Sequence, residues 1–185
     1  PIWHKSNQKK KIGEDGSTPF EMDFSETNLA FAVNYLKINP GYWRQVDRKM
    51  KHFWDHGFSP FMETVRRSET WPEENEAEKA AFTNFVRYFW ARYGAYNFIF
   101  SWLHWDWGKG RNEDYRPMID AAYAALGDMP YGQPMTAMAA GASDDTWGTG
   151  SKAPWLRMHN VSNVGRDARM FAWLRRQYAL PDPLP

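Results

Sequence analysis

The chain has 185 residues, of which 43% are hydrophobic and 24% charged, a composition that favours one folded domain with a core and excludes intrinsic disorder. Lys and Arg number 23 against 22 Asp and Glu, so there is no basic face of the kind that nucleic-acid binding needs. Cysteine is absent, which excludes disulfides and thiolate metal sites, and no apolar run approaches the length of a membrane span.

The N-terminal region, residues 1–37, lacks a clean periodicity, and we expect it to be mostly irregular, with a short helix near Thr27–Leu36. The chain begins without an initiator Met and ends in a proline-rich stretch. We therefore expect a fragment of a longer protein, folded as a single domain over residues 1–185, in which βα repeats occupy residues 38–180.

The first regular elements predicted are a helix and a following strand. Asn39–Pro40 is a good helix start, because Asn caps the helix and Pro at its first position has no N–H to leave unpaired. Apolar residues recur every three or four positions up to Trp54, and Gly57 is a typical stop. The run Phe58–Val65 predicts a strand.

The same unit then repeats along the rest of the chain. The predicted elements are a helix from Pro72 to Gly94, a strand Asn97–Leu103, a helix Glu113–Leu126, a strand Met135–Ala140, a strand Trp155–Asn160 and a helix Arg166–Tyr178. Alternation of this kind predicts an α/β fold with a parallel sheet. Since no glycine-rich phosphate loop follows a strand, we predict a partial (β/α)8 TIM-type barrel with about four clear βα units.

The junction after the second predicted strand is the strongest candidate site. An apolar run ending at Trp102 is followed at once by His104, Trp105, Asp106 and Trp107, and α/β folds place their chemistry where parallel strands end. The three tryptophans predict a surface for stacking on sugar rings. Desolvation among indoles favours the neutral carboxyl form, so Asp106 is the predicted general acid or acid/base, the alternative being a loop or capping carboxylate.

The ends of the other predicted strands are also polar. Glu63 is a second candidate catalytic carboxylate, although the nearby Arg66 and Arg67 equally favour a structural ion pair. The residues predicted to bind substrate are His104, Trp105, Trp107, Ser143, His159, Asn160 and Asn163. Core packing is the alternative for the two histidines. Two His and one Asp on separate strands are a weak metal pattern, and we expect neither a metal nor a cofactor.

Several segments resemble the apiosidase-like glycoside hydrolases, (β/α)8 barrels first described as a domain of unknown function beside a collagen-binding-type domain. The resemblance is carried by Tyr42–Arg48, His56–Pro60, Ala91–Asn97 running into Trp102–Asp106, Met135–Gly141, Asp145–Trp147 and Ala153–Leu156. It covers about residues 38–180. Asp106 matches the catalytic Asp of the family's usual Gly-Gly-Asp strand ending, in which His104–Trp105 here replace the two glycines.

The resemblance implies a secreted or periplasmic enzyme that cleaves glycosidic bonds in complex polysaccharides with two carboxylates. The family's second carboxylate is a Glu in a strand beyond the helix that ends here near Leu180, so we expect it outside this chain. A glycoside hydrolase with a carbohydrate partner is the predicted function. The alternatives are a non-catalytic carbohydrate-binding or scaffold protein and, more weakly, a metal-dependent hydrolase using His104, Asp106 and His159.

Overall fold

The computed structural model describes residues 13–23, 32–64, 76–104, 112–139, 141–162 and 168–180. Over these ranges the protein is a mixed α/β structure with five α-helices, a three-stranded parallel sheet and two short antiparallel strand pairs. In chain order the elements are β1 (Phe20–Asp23), β2 (Ala32–Ile38), α1 (Pro40–Asp55), β3 (Phe61–Glu63), α2 (Glu76–Tyr93), β4 (Ile99–His104), α3 (Asn112–Leu126), β5 (Met135–Met138), β6 (Gly141–Ala142), α4 (Ser143–Trp147), a 3-10 turn (Gly150–Lys152), β7 (Val161–Ser162) and α5 (Ala168–Tyr178). The predicted α/β class is confirmed, and the described strands do not close a barrel.

Helix α1 begins where the sequence predicts. The Asn39 side chain accepts the N–H of Gly41 at 3.0 Å, which satisfies one of the otherwise unpaired donors of the first turn. The helix buries Trp43 and Met50 on one face. After its end, Gly57 has φ of 72°, a left-handed backbone conformation that glycine adopts without strain.

The parallel sheet has the order β3-β4-β5, and α2 and α3 connect its neighbouring strands. Aromatic side chains fill the space between α2 and β4: the Phe89 and Phe100 rings lie 5.9 Å apart, and Trp90 and Trp102 5.6 Å apart. All four are buried. Burial of each such side chain contributes about 1.5–3 kcal/mol, so this aromatic layer is what holds the strands under the helix.

The helix predicted near Thr27–Leu36 is wrong over its described part, which lies in β2, while residues 27–31 are outside the described ranges. The reason is a tertiary contact. Tyr35 of β2 packs edge-on against Phe20 of β1 at 5.1 Å and stacks on Phe85 of α2 at 5.5 Å. Pairing with β1 brings these rings into the core, and this gain outweighs the weak local preference for a helix.

The strand predicted at Trp155–Asn160 is also wrong. Two consecutive backbone N–H groups in the middle of this segment share one acceptor, Met135 O, at 2.8 and 3.0 Å. Further along, the side-chain amide of Asn160 donates to Ala137 O at 3.0 Å, where a strand would use its backbone. The Asn160 N–H donates instead to Ser143 Oγ at 3.0 Å. The segment therefore follows the edge of β5 without forming a ladder, and the described residues contain three parallel strands rather than four.

The remaining predicted helices are present with small shifts at their ends. Helix α2 begins at Glu76, and Pro72, its predicted start, lies outside the described residues. Helix α5 begins at Ala168, two residues after its predicted start. No helix within the described part of the chain is long and apolar enough to cross a membrane.

Candidate functional site

The carboxyl ends of β3 and β4 bring Glu63 and His104 together. Glu63 Oε1 and His104 Nδ1 are in hydrogen-bond contact, and both side chains are buried. Each residue is the last of its strand, and the two strands are neighbours in the sheet. Adjacent strands thus fix the orientation of the His104 ring.

Among the described residues Glu63 contacts His104, whereas Arg66 and Arg67, the partners of the alternative structural ion pair, lie outside them. The next residue, Thr64, is a participant that sequence reasoning missed: its buried hydroxyl donates to Trp102 O at 2.5 Å. The hydroxyl continues the link between the two strands beyond the end of β3.

Trp102 does not belong to an exposed aromatic surface, and that prediction is wrong for this residue. Its side chain is fully buried. It packs edge-on against Phe100 at 5.1 Å and against Trp90 of α2 at 5.6 Å. A strand covered by a helix buries alternate side chains under that helix, and Trp102 occupies such a position. The predicted site residues Trp105, Asp106 and Trp107 lie outside the described residues, as does Asn163.

Ser143, His159 and Asn160 form one hydrogen-bonded group, although they are predicted from two different strand ends. Ser143 Oγ lies 3.0 Å from His159 Nδ1 and accepts the backbone N–H of Asn160 at 3.0 Å. In return, the Ser143 N–H donates to Asn160 O at 2.9 Å. The side chain of Asn160 reaches β5, where it donates to Thr136 Oγ1 at 2.8 Å.

The hydrogen bonds of this group define the tautomer of His159. Burial lowers the pKa of His159, and the negative charge of Asp144 offsets only part of that effect, so the ring is neutral at neutral pH. Ser143 Oγ accepts from Asn160 N–H at 3.0 Å and from Gln177 Nε2 at 3.5 Å, which occupies both of its acceptor sites, so its own proton is donated to Nδ1 and the ring proton sits on Nε2. Ser143 is fully buried, so this pair is not arranged as an exposed nucleophile with its base.

Two atoms of this group are left without a partner among the residues that the structure describes. They are His159 Nε2 and Asn160 Oδ1, both buried. Buried polar atoms are nearly always paired in native proteins, so each such atom needs an explanation. One is a donor and the other an acceptor, which is the pattern that a hydroxyl group satisfies.

The charged surroundings of this group come from residues that sequence reasoning missed. Gln177 of α5 donates to Asp144 Oδ1 at 2.9 Å and to Asn160 O at 3.2 Å. Burial opposes ionisation of Asp144, but the hydrogen bonds from Gln177 and Arg176 outweigh it and hold the pKa of that carboxyl below its usual value. Gln177 lies 33 residues from Asp144, so no local pattern could have identified the pair.

The described residues contain no cluster of three or more His, Asp or Glu side chains that could hold a metal ion. His104 and His159, two members of the metal alternative, are each engaged in their own pair, and the third, Asp106, is outside the described ranges. Comparison with protein-family models, with curated proteins and with solved structures gives no match for this chain.

Proposed function

We propose that the chain is part of a glycoside hydrolase that cleaves a polysaccharide or oligosaccharide by carboxyl-group acid/base chemistry, related to the apiosidase-like enzymes that it resembles. The observation that carries the proposal is the buried Glu63–His104 pair at the carboxyl ends of two parallel strands. His104 of this pair stands directly before Trp105–Asp106–Trp107 in the sequence. In α/β enzymes the catalytic groups collect at this edge of the sheet.

Each residue of the site has a role in this proposal. Asp106 protonates the glycosidic oxygen, and the second carboxylate comes from a strand outside this chain. Glu63 orients His104, which hydrogen-bonds a sugar hydroxyl. Trp105 and Trp107 stack on the sugar rings, since indoles combine a flat apolar face with a polar N–H.

The hydrogen-bonded group of Ser143, His159 and Asn160 favours a ligand that carries hydroxyl groups. Within the described residues, His159 Nε2 and Asn160 Oδ1 are a buried donor and a buried acceptor without partners. A sugar hydroxyl both accepts and donates, so it would satisfy both atoms. In the proposal His159 and Asn160 bind substrate, and Ser143 holds them in position through its hydroxyl.

The sheet topology is compatible with a barrel for the complete fold. The spatial order β3-β4-β5 follows the chain order, with a helix between successive strands. A (β/α)8 barrel has this sequential order throughout, and a doubly wound sheet has it within each half, on either side of its switch point. The proposed enzyme is a partial (β/α)8 barrel, as the family resemblance implies, and its polymeric substrate suits a secreted or periplasmic location.

The substitution Asp106→Asn in the full-length protein tests the proposal. Since an amide cannot transfer the proton that the leaving group needs, we expect kcat/KM for a natural glycan to fall by about 10²–10⁴-fold. Aryl glycosides with acidic leaving groups, which need less protonation, should lose much less. The measurement is hydrolysis of a glycan and aryl-glycoside panel across a pH series, in which the variant should also lose the alkaline limb of the profile, because that limb reports ionisation of the general acid.

The matched control is Asp55→Asn, which removes a carboxylate that pairs with the exposed Lys51 at the end of α1. This variant should hydrolyse the panel like the unaltered protein. Near-normal glycan hydrolysis by Asp106→Asn would exclude Asp106 as the acid. Saturable glycan binding without turnover by the unaltered protein would replace the enzyme with a carbohydrate-binding protein. Loss of turnover on chelation would favour the metal-dependent alternative.

A further inference from the structure

An open cleft of about 380 Å³ lies between the first half of α1 and the loop that precedes β1. Its lining residues are Glu14, Asp15, Gly41, Arg44, Gln45 and Arg48. None of them belongs to the site described above. The volume falls within the range of about 300–1,000 Å³ that is typical of small-molecule sites.

The floor of the cleft is Gln45, a buried side chain that fixes the loop to the helix. Its Nε2 donates to Asp15 Oδ1 at 2.7 Å and to Ser17 Oγ at 3.1 Å, while its Oε1 accepts the N–H of Glu14 at 2.7 Å. A Cβ at Gly13 would lie 2.6 Å from the Gln45 amide, so only glycine allows this close approach. The walls of the cleft are therefore held in place before any ligand binds.

One wall of the cleft carries two guanidinium groups. Arg44 and Arg48 are four residues apart on α1 and lie on the same face of the helix, where like charges repel. Arg44 makes no ion pair with any described residue, although its charge acts on the carboxylate of Asp47 on the same helix, which is held by Arg92 at 2.6 Å. Arg48 lies 3.8 Å from Glu14, in an exposed pair that contributes little. This wall is suited to the carboxylate of a ligand, which guanidinium groups bind through paired hydrogen bonds.

The facing wall, on the loop, carries the carboxylates of Glu14 and Asp15. Hydrogen bonds from Ser17 and Gln45 lower the pKa of Asp15 to about 2, so it is ionised at any physiological pH. Two carboxylates here would repel a simple anion but would attract an ammonium group. The two walls together are complementary to a ligand with one negative and one positive end.

A smaller apolar recess of about 190 Å³ continues the cleft along α1. It shares Glu14, Gln45 and Arg48 with the cleft, and Lys49, His52 and Phe53 complete its lining. Phe53 is 38% exposed, so its ring is accessible to a ligand. An aromatic side chain placed here would contact the Phe53 ring, the imidazole and the alkyl stem of Lys49.

We propose that this cleft binds a free amino acid with an aromatic or large apolar side chain. The carboxylate lies between Arg44 and Arg48, the ammonium group faces Glu14 and Asp15, and the side chain enters the recess beside Phe53. The site is separate from the carbohydrate chemistry proposed above and does not depend on it.

Calorimetric titration of the full-length protein with L-phenylalanine tests the site. We expect saturable binding, and an affinity loss of about tenfold or more in each of Arg44→Gln and Arg48→Gln, because each removes a charge-assisted hydrogen bond to the carboxylate. Arg87→Gln is the matched control, since Arg87 is exposed on α2 and contacts only Asn84 among the described residues. It should bind like the unaltered protein. Circular dichroism confirms that each variant is folded.

Ligand analogues test the two ends and the recess separately. N-acetyl-L-phenylalanine lacks the ammonium group and L-phenylalaninamide lacks the carboxylate, so both should bind about tenfold more weakly or worse. Phe53→Ala should remove the preference for L-phenylalanine over glycine. Equal binding of N-acetyl-L-phenylalanine, or equally tight binding of inorganic phosphate, would overturn the zwitterionic ligand. Absence of saturation up to about 50 mM L-phenylalanine would overturn the site itself.

Discussion

At the scale of single residues, His104 and His159 have different chemistry, although the sequence predicts substrate binding for both. His104 contacts the carboxyl group of Glu63. His159 faces the hydroxyl of Ser143, and burial lowers its pKa. The first ring is therefore oriented by an acidic side chain, and the second is kept neutral by its surroundings. These partners lie 41 and 16 residues away along the chain, respectively.

The lowered pKa of His159 predicts an acid-sensitive contribution to stability. Below the ordinary pKa of 6.5 the unfolded chain binds a proton that the folded protein resists, so the free energy of unfolding should decrease as the pH falls from about 7 to 5. His159→Gln should reduce this slope, because the glutamine side chain does not titrate. Urea unfolding at a series of pH values measures the slopes. Equal slopes for His159→Gln and the unaltered protein would contradict the assignment.

At the scale of elements, helix ends were easier to predict than strands. Helix α1 begins at Pro40 because Asn39 and Pro40 carry the start signal within two residues. Strand β2 has no such local sequence signal, since it forms through pairing with β1 and through contact with the aromatic rings of α2. A helix satisfies its own backbone, whereas a strand needs a partner that is distant in sequence.

The cap of α1 gives a prediction at this scale. Asn39→Ala removes the acceptor of the Gly41 N–H and should lower the free energy of unfolding by about 1 kcal/mol. Asn39→Asp keeps an acceptor at the same place and should restore most of the loss. Urea denaturation of both variants measures the difference. If Asn39→Ala and Asn39→Asp are equally unstable, the side chain does not act as a cap.

At the scale of the whole molecule, side-chain hydrogen bonds, together with the two backbone N–H groups that share Met135 O, join the last third of the described chain to the sheet. Ala137 O on β5 accepts from Trp147 Nε1 and from Asn160 Nδ2, both at 3.0 Å. Trp155, fully buried, donates to Asp120 of α3 at 2.7 Å. These contacts cover the edge of the parallel sheet, which would otherwise present unpaired backbone groups.

This covering of the sheet edge predicts that Asn160 is important for global stability. Asn160→Ala leaves the buried Thr136 Oγ1 without this amide donor and removes one of the two side-chain donors to Ala137 O, and it should lower the free energy of unfolding by about 1–3 kcal/mol. Asn97→Ala removes an exposed amide that bonds Ser59 and should cost about 0.5 kcal/mol or less. Thermal and urea unfolding compare the two. Equal losses in the free energy of unfolding would show that the contact of Asn160 with the sheet edge contributes no more than an exposed hydrogen bond.

The sequence by itself determined the α/β class, the start of α1 and the residue types at the strand ends, because these depend on periodicity and on neighbours within one turn. It also placed Glu63 and His104 at the carboxyl ends of their strands. Only the tertiary structure decided that Glu63 pairs with His104, that Trp102 is buried under α2, and that residues 155–160 follow β5 without forming a strand. Those outcomes depend on contacts between segments far apart in the chain, and local patterns carry no information about which distant segment will fill a given position.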